Sequence, residues 1–444
     1  MQAHERVSQS RTGLSRVFYG WYIVAAGMGI HLWISIAWIY GMQIFFNPII
    51  GTFAWSRAAV SGAFALQRLE GSIASPIEGF LIDKFGPRII VLIGVLITGF
   101  GLMFMSMIQS LWMFYMAVLV ISLGTSASSG MTRNWAIVQW FRRMRGRALG
   151  IGASGAVLSG PMLFIVIWLL ETLGWRLAFI VLGIITWLIC IPLGFVFRGR
   201  PQEYGYFPDG DLPMTIGEKP SHGIAGQKDL PIGDSDAESM TVRQALRTRV
   251  FWILTLVFGA QTVGVSGLMV HLIPYFESIG FSTNQAASVL GLFTLLSAIG
   301  RLGGGWAMDY FNQRAILAII LVLQAVAFLI MANITSYWQV LPFAMFYGTA
   351  FGGMMPARGV IISTYFGTRH FGAIQGLSQS ATVLGGMAGP ILMGWMFDTT
   401  QSYIMSIYIL AAVVAAAVPL TMFARPPGIP QPVSNEYHNL SSPL

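Results

Sequence analysis

Twelve mostly apolar stretches, each near or above the roughly 20 residues a helix needs to cross a bilayer, constrain this chain more than any other feature. They cover roughly 19–46, 58–82, 89–109, 111–139, 147–170, 175–197, 250–276, 283–307, 314–334, 337–365, 372–397 and 402–423. The one long polar interruption, Arg198 to Arg249, is rich in Pro, Gly, Asp and Ser and reads as an irregular linker that buries no core. The expectation is an all-α membrane protein with 12 transmembrane helices in two pseudo-symmetric six-helix bundles. Its divisions would be a tail at 1–18, a bundle at 19–197, a linker at 198–249, a second bundle at 250–423 and a tail at 424–444. Composition closes the soluble alternatives. The chain is 55% hydrophobic and 9% charged, against about 25% charged in soluble domains, and its mean hydropathy is +0.69. The net charge of +8 is spread along short loops, so it is no argument for nucleic acid. Cys190, alone in an apolar run, leaves no internal disulfide and no Cys-based metal site. The first apolar segment is far longer than the roughly 7–15-residue core of a secretory signal.

Lysine and arginine set the expected orientation. With the N-terminus cytoplasmic, inward segments collect 19 of the 25 basic residues, including Arg142, Arg143, Arg145 and Arg147 in one loop. The positive-inside rule then puts both termini and the linker in the cytoplasm. The halves also repeat. Gly79-Phe-Leu-Ile-Asp83-Lys-Phe-Gly-Pro-Arg88 comes after the second span, and Gly305-Trp-Ala-Met-Asp309-Tyr-Phe-Asn-Gln-Arg314 after the eighth, 226 residues later. Trp140-Phe141 through Gly146 and Gly150 is answered by Tyr365-Phe366 through Gly372 and Gly376. Such a duplication is one of the two usual transporter plans, with the substrate site near mid-membrane where the halves meet.

The Gly-x-x-x-Asp-Lys-x-Gly-x-Arg pattern between spans 2 and 3, with its weaker copy between 8 and 9, resembles the signature of the major facilitator superfamily. Phe18-Tyr19-Gly20-Trp21, Trp140-Phe141 with Arg145-Gly146, and Arg200-Pro201-Gln-Glu203-Tyr204-Gly205 with Pro208-Asp209-Gly210-Asp211 after it are similar to bacterial monocarboxylate and oxalate/formate exchanger relatives. The resemblance implies the major facilitator fold, with spans 3, 6, 9 and 12 facing lipid. It places Asp83 where the cytoplasmic ends of spans 2, 4 and 11 meet, near the loop around Arg142. There an acid paired with arginine and a helix N-terminus would latch that side shut. Glu78, Asp83, Arg88, Arg133, Arg142, Asp309, Arg314 and Arg358 are the gate candidates.

Ionisable residues inside the bilayer cost at least about 2.5–3.5 kcal/mol on insertion scales and so demand a reason. Here they are Arg68, Glu70, Glu78, Arg133, Arg301 and Arg358, with His31 and His271. All fall on spans that line the cavity in the family fold, and they sum to four positive and two negative, which favours an anion. Arg301, in Ala298-Ile-Gly-Arg301-Leu-Gly-Gly-Gly305, resembles the substrate arginine of monocarboxylate carriers. A guanidinium's planar fork suits a carboxylate. Arg68, His31, Tyr40, Gln43, His271 and Gln379 are further substrate candidates. Asn47, Gln261 and Tyr347 could add hydrogen bonds. Arg133 and Arg358, each eight residues before an aromatic-Phe pair, read as gate or anchor, because arginines near a surface can snorkel. Glu70 is a candidate proton carrier, structural pairing with an arginine being the alternative.

Three departures from the relatives matter. The first span, Trp38-Ile-Tyr40-Gly-Met-Gln43, lacks the lysine of animal monocarboxylate carriers. Ser297 stands where they have an acid before the eighth-span arginine. Gln375 to Gly389 lacks the lysine of oxalate/formate exchangers. A second cation for a compact dianion is therefore not evident, and the reading leans to a monoanion. The expected function is secondary active transport of a small organic anion, a monocarboxylate first, with a proton or counter-anion as coupling species. The chain would be a monomer in the cell (inner or plasma) membrane, without cofactor, metal or nucleic acid. Export of a larger hydrophobic or cationic compound, and a transporter-like sensor, are the alternatives. No catalytic cluster or phosphate loop points to an enzyme.

Overall fold

The computed structural model describes residues 17–55, 57–210 and 239–427. Most of the two tails, linker residues 211–238 and the side chains of Arg68 and Gln43 lie outside the described residues. In chain order the twelve helices are α1 (Tyr19–Phe53), α2 (Arg57–Phe85), α3 (Pro87–Ser106), α4 (Leu111–Trp140), α5 (145–173), α6 (175–195), α7 (Arg249–Ser278), α8 (Asn284–Tyr310), α9 (Gln313–Ala332), α10 (Val340–Phe366), α11 (Phe371–Thr400) and α12 (Ile404–Phe423). At Gly174, where φ is +72°, the backbone turns sharply enough to end α5 and begin α6 without a loop. Ser110, Thr248, Ser282 and Asn312 cap the starts of α4, α7, α8 and α9 with side-chain oxygens.

Nine helical stretches among the described residues are long and apolar enough to cross a membrane by themselves. α2 and α10 are not among them; α2 carries Arg68, Glu70 and Glu78 within its length. The apolar excess sits where lipid would be. α3 exposes Ile89, Ile93, Leu96 and Phe100, α6 exposes Leu177, Ile184 and Leu188, α9 exposes Ile319, Val322 and Leu329, and α12 exposes Met405, Met422 and Phe423. Such bands belong against hydrocarbon.

Three of the helices contain a π-helical segment: Ser35–Ile39 in α1, Ser126–Gly130 in α4 and Gly300–Gly304 in α8. Each wide turn admits an extra residue and rotates the remainder of its helix, a device common at functional sites. The two halves meet mainly through α2 against α11 and α5 against α8. Hydrogen bonds joining the halves between described residues run from Ser72–Ser380 and Ala153–Arg301 to the end that carries the basic loops. That basic end is closed.

Candidate functional site

The closure is built twice from the same parts. At the end of α2, Asp83 Oδ1 accepts hydrogen bonds from the Trp135 indole on α4 (2.7 Å) and the Gly372 amide (3.2 Å), and Oδ2 accepts from the Ala373 amide (3.0 Å). At the end of α8, Asp309 accepts from the amides of Gly146 and Arg147 (2.9 Å) and from Arg147 Nε (3.3 Å). Each aspartate therefore caps the N-terminus of a helix in the opposite half, where unpaired N–H groups and the helix dipole favour an anion. Gly79 lies against the Gly372 backbone, and Gly146 against that of Gly305. A Cβ at any of these four would overlap the facing main chain.

Linker residues complete these ends. Asp209, its side chain 1% exposed, accepts from the backbone N–H groups of Arg142 (3.0 Å), Arg143 (2.7 Å) and Met144 (3.4 Å). Ser239 Oγ accepts from the N–H groups of Thr368 and Arg369 at 3.2 and 3.3 Å. Arg145 reaches across to Ser363 Oγ (3.0 Å) while its other nitrogens bond the Phe141 and Val138 carbonyls. Burial pulls its guanidinium down to about 10, with Asp209 and Asp309 opposing the shift, so it stays charged at neutral pH.

Further in, between the halves, the structure gathers Arg301, Arg133, His31 and Tyr40. Arg301 is 3% exposed. It lies in the π-helical segment of α8, donates from Nη1 to the Ala153 carbonyl of α5, and leaves Nε without a partner. Arg133 is 6% exposed. Arg301 lies within electrostatic reach of Arg133, His31 and Tyr40, and the Arg133 stem lies against Gly152, next to the Ala153 carbonyl that Arg301 bonds. Tyr40 stands where the π-helical segment of α1 ends, and His31 Nδ1 has no partner. Arg133 bonds Asn134 and neither aspartate cap, although Trp135, two residues on, donates to Asp83.

The other candidates lie elsewhere. His271 stays within the second half, near Tyr403 Oη (3.4 Å) and the Pro390 carbonyl (3.1 Å). Arg358 bonds Gln379 Oε1 and Thr262 Oγ1 (3.4 Å) and lies over Phe258, all in its own half. Glu70 accepts from Ser122 Oγ and Glu78 from Ser126 Oγ, each at 2.6 Å, forming rungs between α2 and α4. Arg88 is exposed over Phe195, Arg142 is exposed, and Arg314 stands at the start of α9 near Tyr365. Among the described residues no His, Cys, Asp and Glu cluster could hold a metal ion. Trp135, Asp209 and Ser239 carry no site signal in the sequence alone; Asp209 belongs to the turn-rich Pro208-Asp209-Gly210-Asp211 stretch, and nothing in the sequence points to Ser239.

Two repeated helical bundles, joined by glycine-lined crossings and enclosing buried cations at their interface, define a multi-pass membrane transporter rather than an enzyme. The chain belongs to the Major Facilitator Superfamily, whose model matches residues 32–309 and 272–441. The oxalate:formate antiporter of Oxalobacter formigenes is 25% identical over 80% of this chain and 82% of its own. Monocarboxylate transporter 13 of Bos taurus is 23% identical over 96% of each chain. Among solved structures, the E. coli fucose:proton symporter superposes with a TM-score of 0.66 at 15% identity, covering 91% of this chain and 99% of its own. The human organic anion transporter MFSD10 does so at 0.67 and 14% identity, covering 90% and 99%. These likenesses carry the fold.

Proposed function

We propose that this chain is a secondary active transporter of a small organic anion, a monocarboxylate first, working by alternating access. The observation that carries the reading is Arg301. It is a nearly fully buried guanidinium of one half that reaches the main chain of the other. Its Nε is still unpaired, and Tyr40 and His31 stand within electrostatic range. A buried cation of this kind is costly unless a ligand supplies the opposite charge. A carboxylate on its free edge would be held by charge-assisted hydrogen bonds, strengthened by exclusion of water. Relatives named for oxalate, formate and monocarboxylates support an anionic substrate.

The basic loops favour a cytoplasmic basic end, with both termini inside and the chain, as a monomer, in the cell (inner or plasma) membrane. The closed basic end then makes this an outward-facing state. In the reverse step the two halves, 19–197 and 250–423, rock about the site while the linker stays cytoplasmic. Asp83 and Asp309 release the starts of α11 and α5. Arg68, Gln43 and Gln379 remain candidate contacts, and His271 a more distant one. The coupling species is a proton or a counter-anion. Glu70, with one carboxylate oxygen on Ser122 and the other unpaired, is the candidate proton carrier.

Uptake of labelled carboxylates into proteoliposomes under imposed pH gradients tests this. Arg301→Lys keeps the charge but loses the planar fork, and is expected to raise KM roughly ten-fold or more. Parent-like transport by that variant defeats the reading. Glu70→Gln is expected to abolish the response to the pH gradient while exchange persists, and an unchanged response removes Glu70 from the coupling step.

A further inference from the structure

The central site holds more positive charge than one carboxylate can neutralise. Arg133 comes from α4 of the first half and Arg301 from α8 of the second. Both are buried, and among the described residues neither has a carboxylate partner. Arg133 donates from Nε and Nη2 to the neutral Asn134 Oδ1, at 3.3 and 3.2 Å, and its buried Nη1 bonds nothing. The three acids of the neighbouring α2 are taken elsewhere, Glu70 and Glu78 by the hydroxyls of Ser122 and Ser126 and Asp83 by the Trp135 indole and the start of α11.

Arg133 is also held in place. A Cβ on Gly27 of α1 would meet its Cγ at 2.7 Å, and one on Gly152 of α5 would meet its Cδ at 3.4 Å. The aliphatic stem is therefore lodged between two helices whose glycines make room for it. Gly152, against which the stem lies, adjoins Ala153, whose carbonyl Arg301 bonds, so the two arginines share one stretch of α5. Two like charges confined together in a site of low dielectric repel, and each remains uncompensated. A monoanion relieves one of them.

We infer that Arg133 is a second substrate anchor, and that the transported anion is a dianion such as a dicarboxylate, one acidic group held by Arg133 and the other by Arg301. This rests on the proposed role of Arg301 and, within the small organic anions, puts a dianion ahead of the monocarboxylate named first above. A ligand of this kind bridges the two halves and removes the repulsion between them, so its charge assists closure over the site. Spans 1 and 11 carry no second cation where the relatives have a lysine; the one proposed here comes from α4.

The test compares malonate and succinate with acetate and lactate at slightly alkaline pH. The readouts are uptake by proteoliposomes and, independently, the shift in melting temperature of the purified full chain at matched ionic strength. The parent is expected to be stabilised more by malonate than by acetate and to take up dicarboxylates. Arg133→Gln should raise KM for dicarboxylates roughly ten- to a hundred-fold while changing that for monocarboxylates less than about three-fold. Arg133→Lys should restore part of the dicarboxylate preference, which a merely structural arginine would not do. Equal stabilisation of the parent by the two classes, or equal losses for both in Arg133→Gln without rescue by lysine, overturns this inference and leaves Arg301 as the sole anchor. Loss of the Arg301 site itself shows separately, as parent-like handling of both classes by Arg301→Lys.

Discussion

The starts of α5 and α11 occupy equivalent places in the repeat, and each receives an aspartate from the opposite half, yet they are finished differently. α11 presents two amides to Asp83, with the Trp135 indole as third donor, and Ser239 covers the preceding turn. α5 presents two amides and the Arg147 side chain to Asp309, and Asp209 covers three further amides. One junction is closed mostly by dipoles and neutral donors, the other by charges. The sequence pattern ranks them the other way. The well-kept copy surrounds Asp83, but its Lys84 lies over Phe85 and its Arg88 over Phe195, away from the carboxylate. The degenerate copy around Asp309 forms the ion pair, because its arginine comes from α5 and not from the motif. What the repeat retains is the aspartate, the facing helix start and the glycine crossings.

The comparison makes Asp309 the stronger closure, and Asp309→Ala should show the largest effect. It strands two amides and an arginine. Arg147 is 34% exposed, so its share is reduced by solvent. The loss is about 2 kcal/mol, or roughly a thirty-fold shift towards opening at the basic end. Spin labels at Lys84 and Phe311, exposed on opposite halves at this end, would read it as a longer-distance population in the Cys190→Ala background. A distance distribution matching the parent removes Asp309 from the closure.

Asp83→Ala is expected to do the same with about 1.5 kcal/mol, roughly ten-fold, since no guanidinium is lost. Measured in the same labelled pair, a larger opening for Asp83→Ala than for Asp309→Ala inverts the comparison. It would mean that the indole and dipole contacts outweigh the ion pair.

Much of this architecture is legible in the residues alone. Spans of apolar residues and a 226-residue echo prescribe two bundles, because hydrocarbon permits little else for such segments. Helix-start glycines and the two aspartates point to the crossings. The interior site is less legible, for a geometric reason. Arg133 lies eight residues before Phe141, and counting turns from there puts it near a surface. The π-helical segments at Ser126–Gly130 and Gly300–Gly304 rotate the helices around Arg133 and Arg301, and a 3.6-residue period cannot anticipate them. The partner of Arg301 is a main-chain carbonyl, that of Ala153, which leaves no mark on the sequence. Asp209 sits inside a run of turn residues and reads as linker. Its φ of +60° is a conformation asparagine and aspartate tolerate better than most, and it turns the carboxylate onto the α5 start.

The two linker contacts give the smallest effect and the finest discrimination between the junctions. Ser239 offers one hydroxyl oxygen to two amides at 3.2 and 3.3 Å, long bonds from a neutral group. Ser239→Ala should therefore cost about 0.5–1 kcal/mol, within the range of a lost helix cap, and widen the label distances in roughly a two- to five-fold larger fraction of molecules. Asp209→Ala removes a charged acceptor from three amides, one at 2.7 Å, and should exceed it. Its ion pair with Arg143 adds little, because that arginine is 62% exposed. If Ser239→Ala equals or exceeds Asp209→Ala, charge is not what distinguishes the α5 junction. If both leave the distances unchanged while Asp309→Ala opens the basic end, the linker rides on the closed loops without holding them.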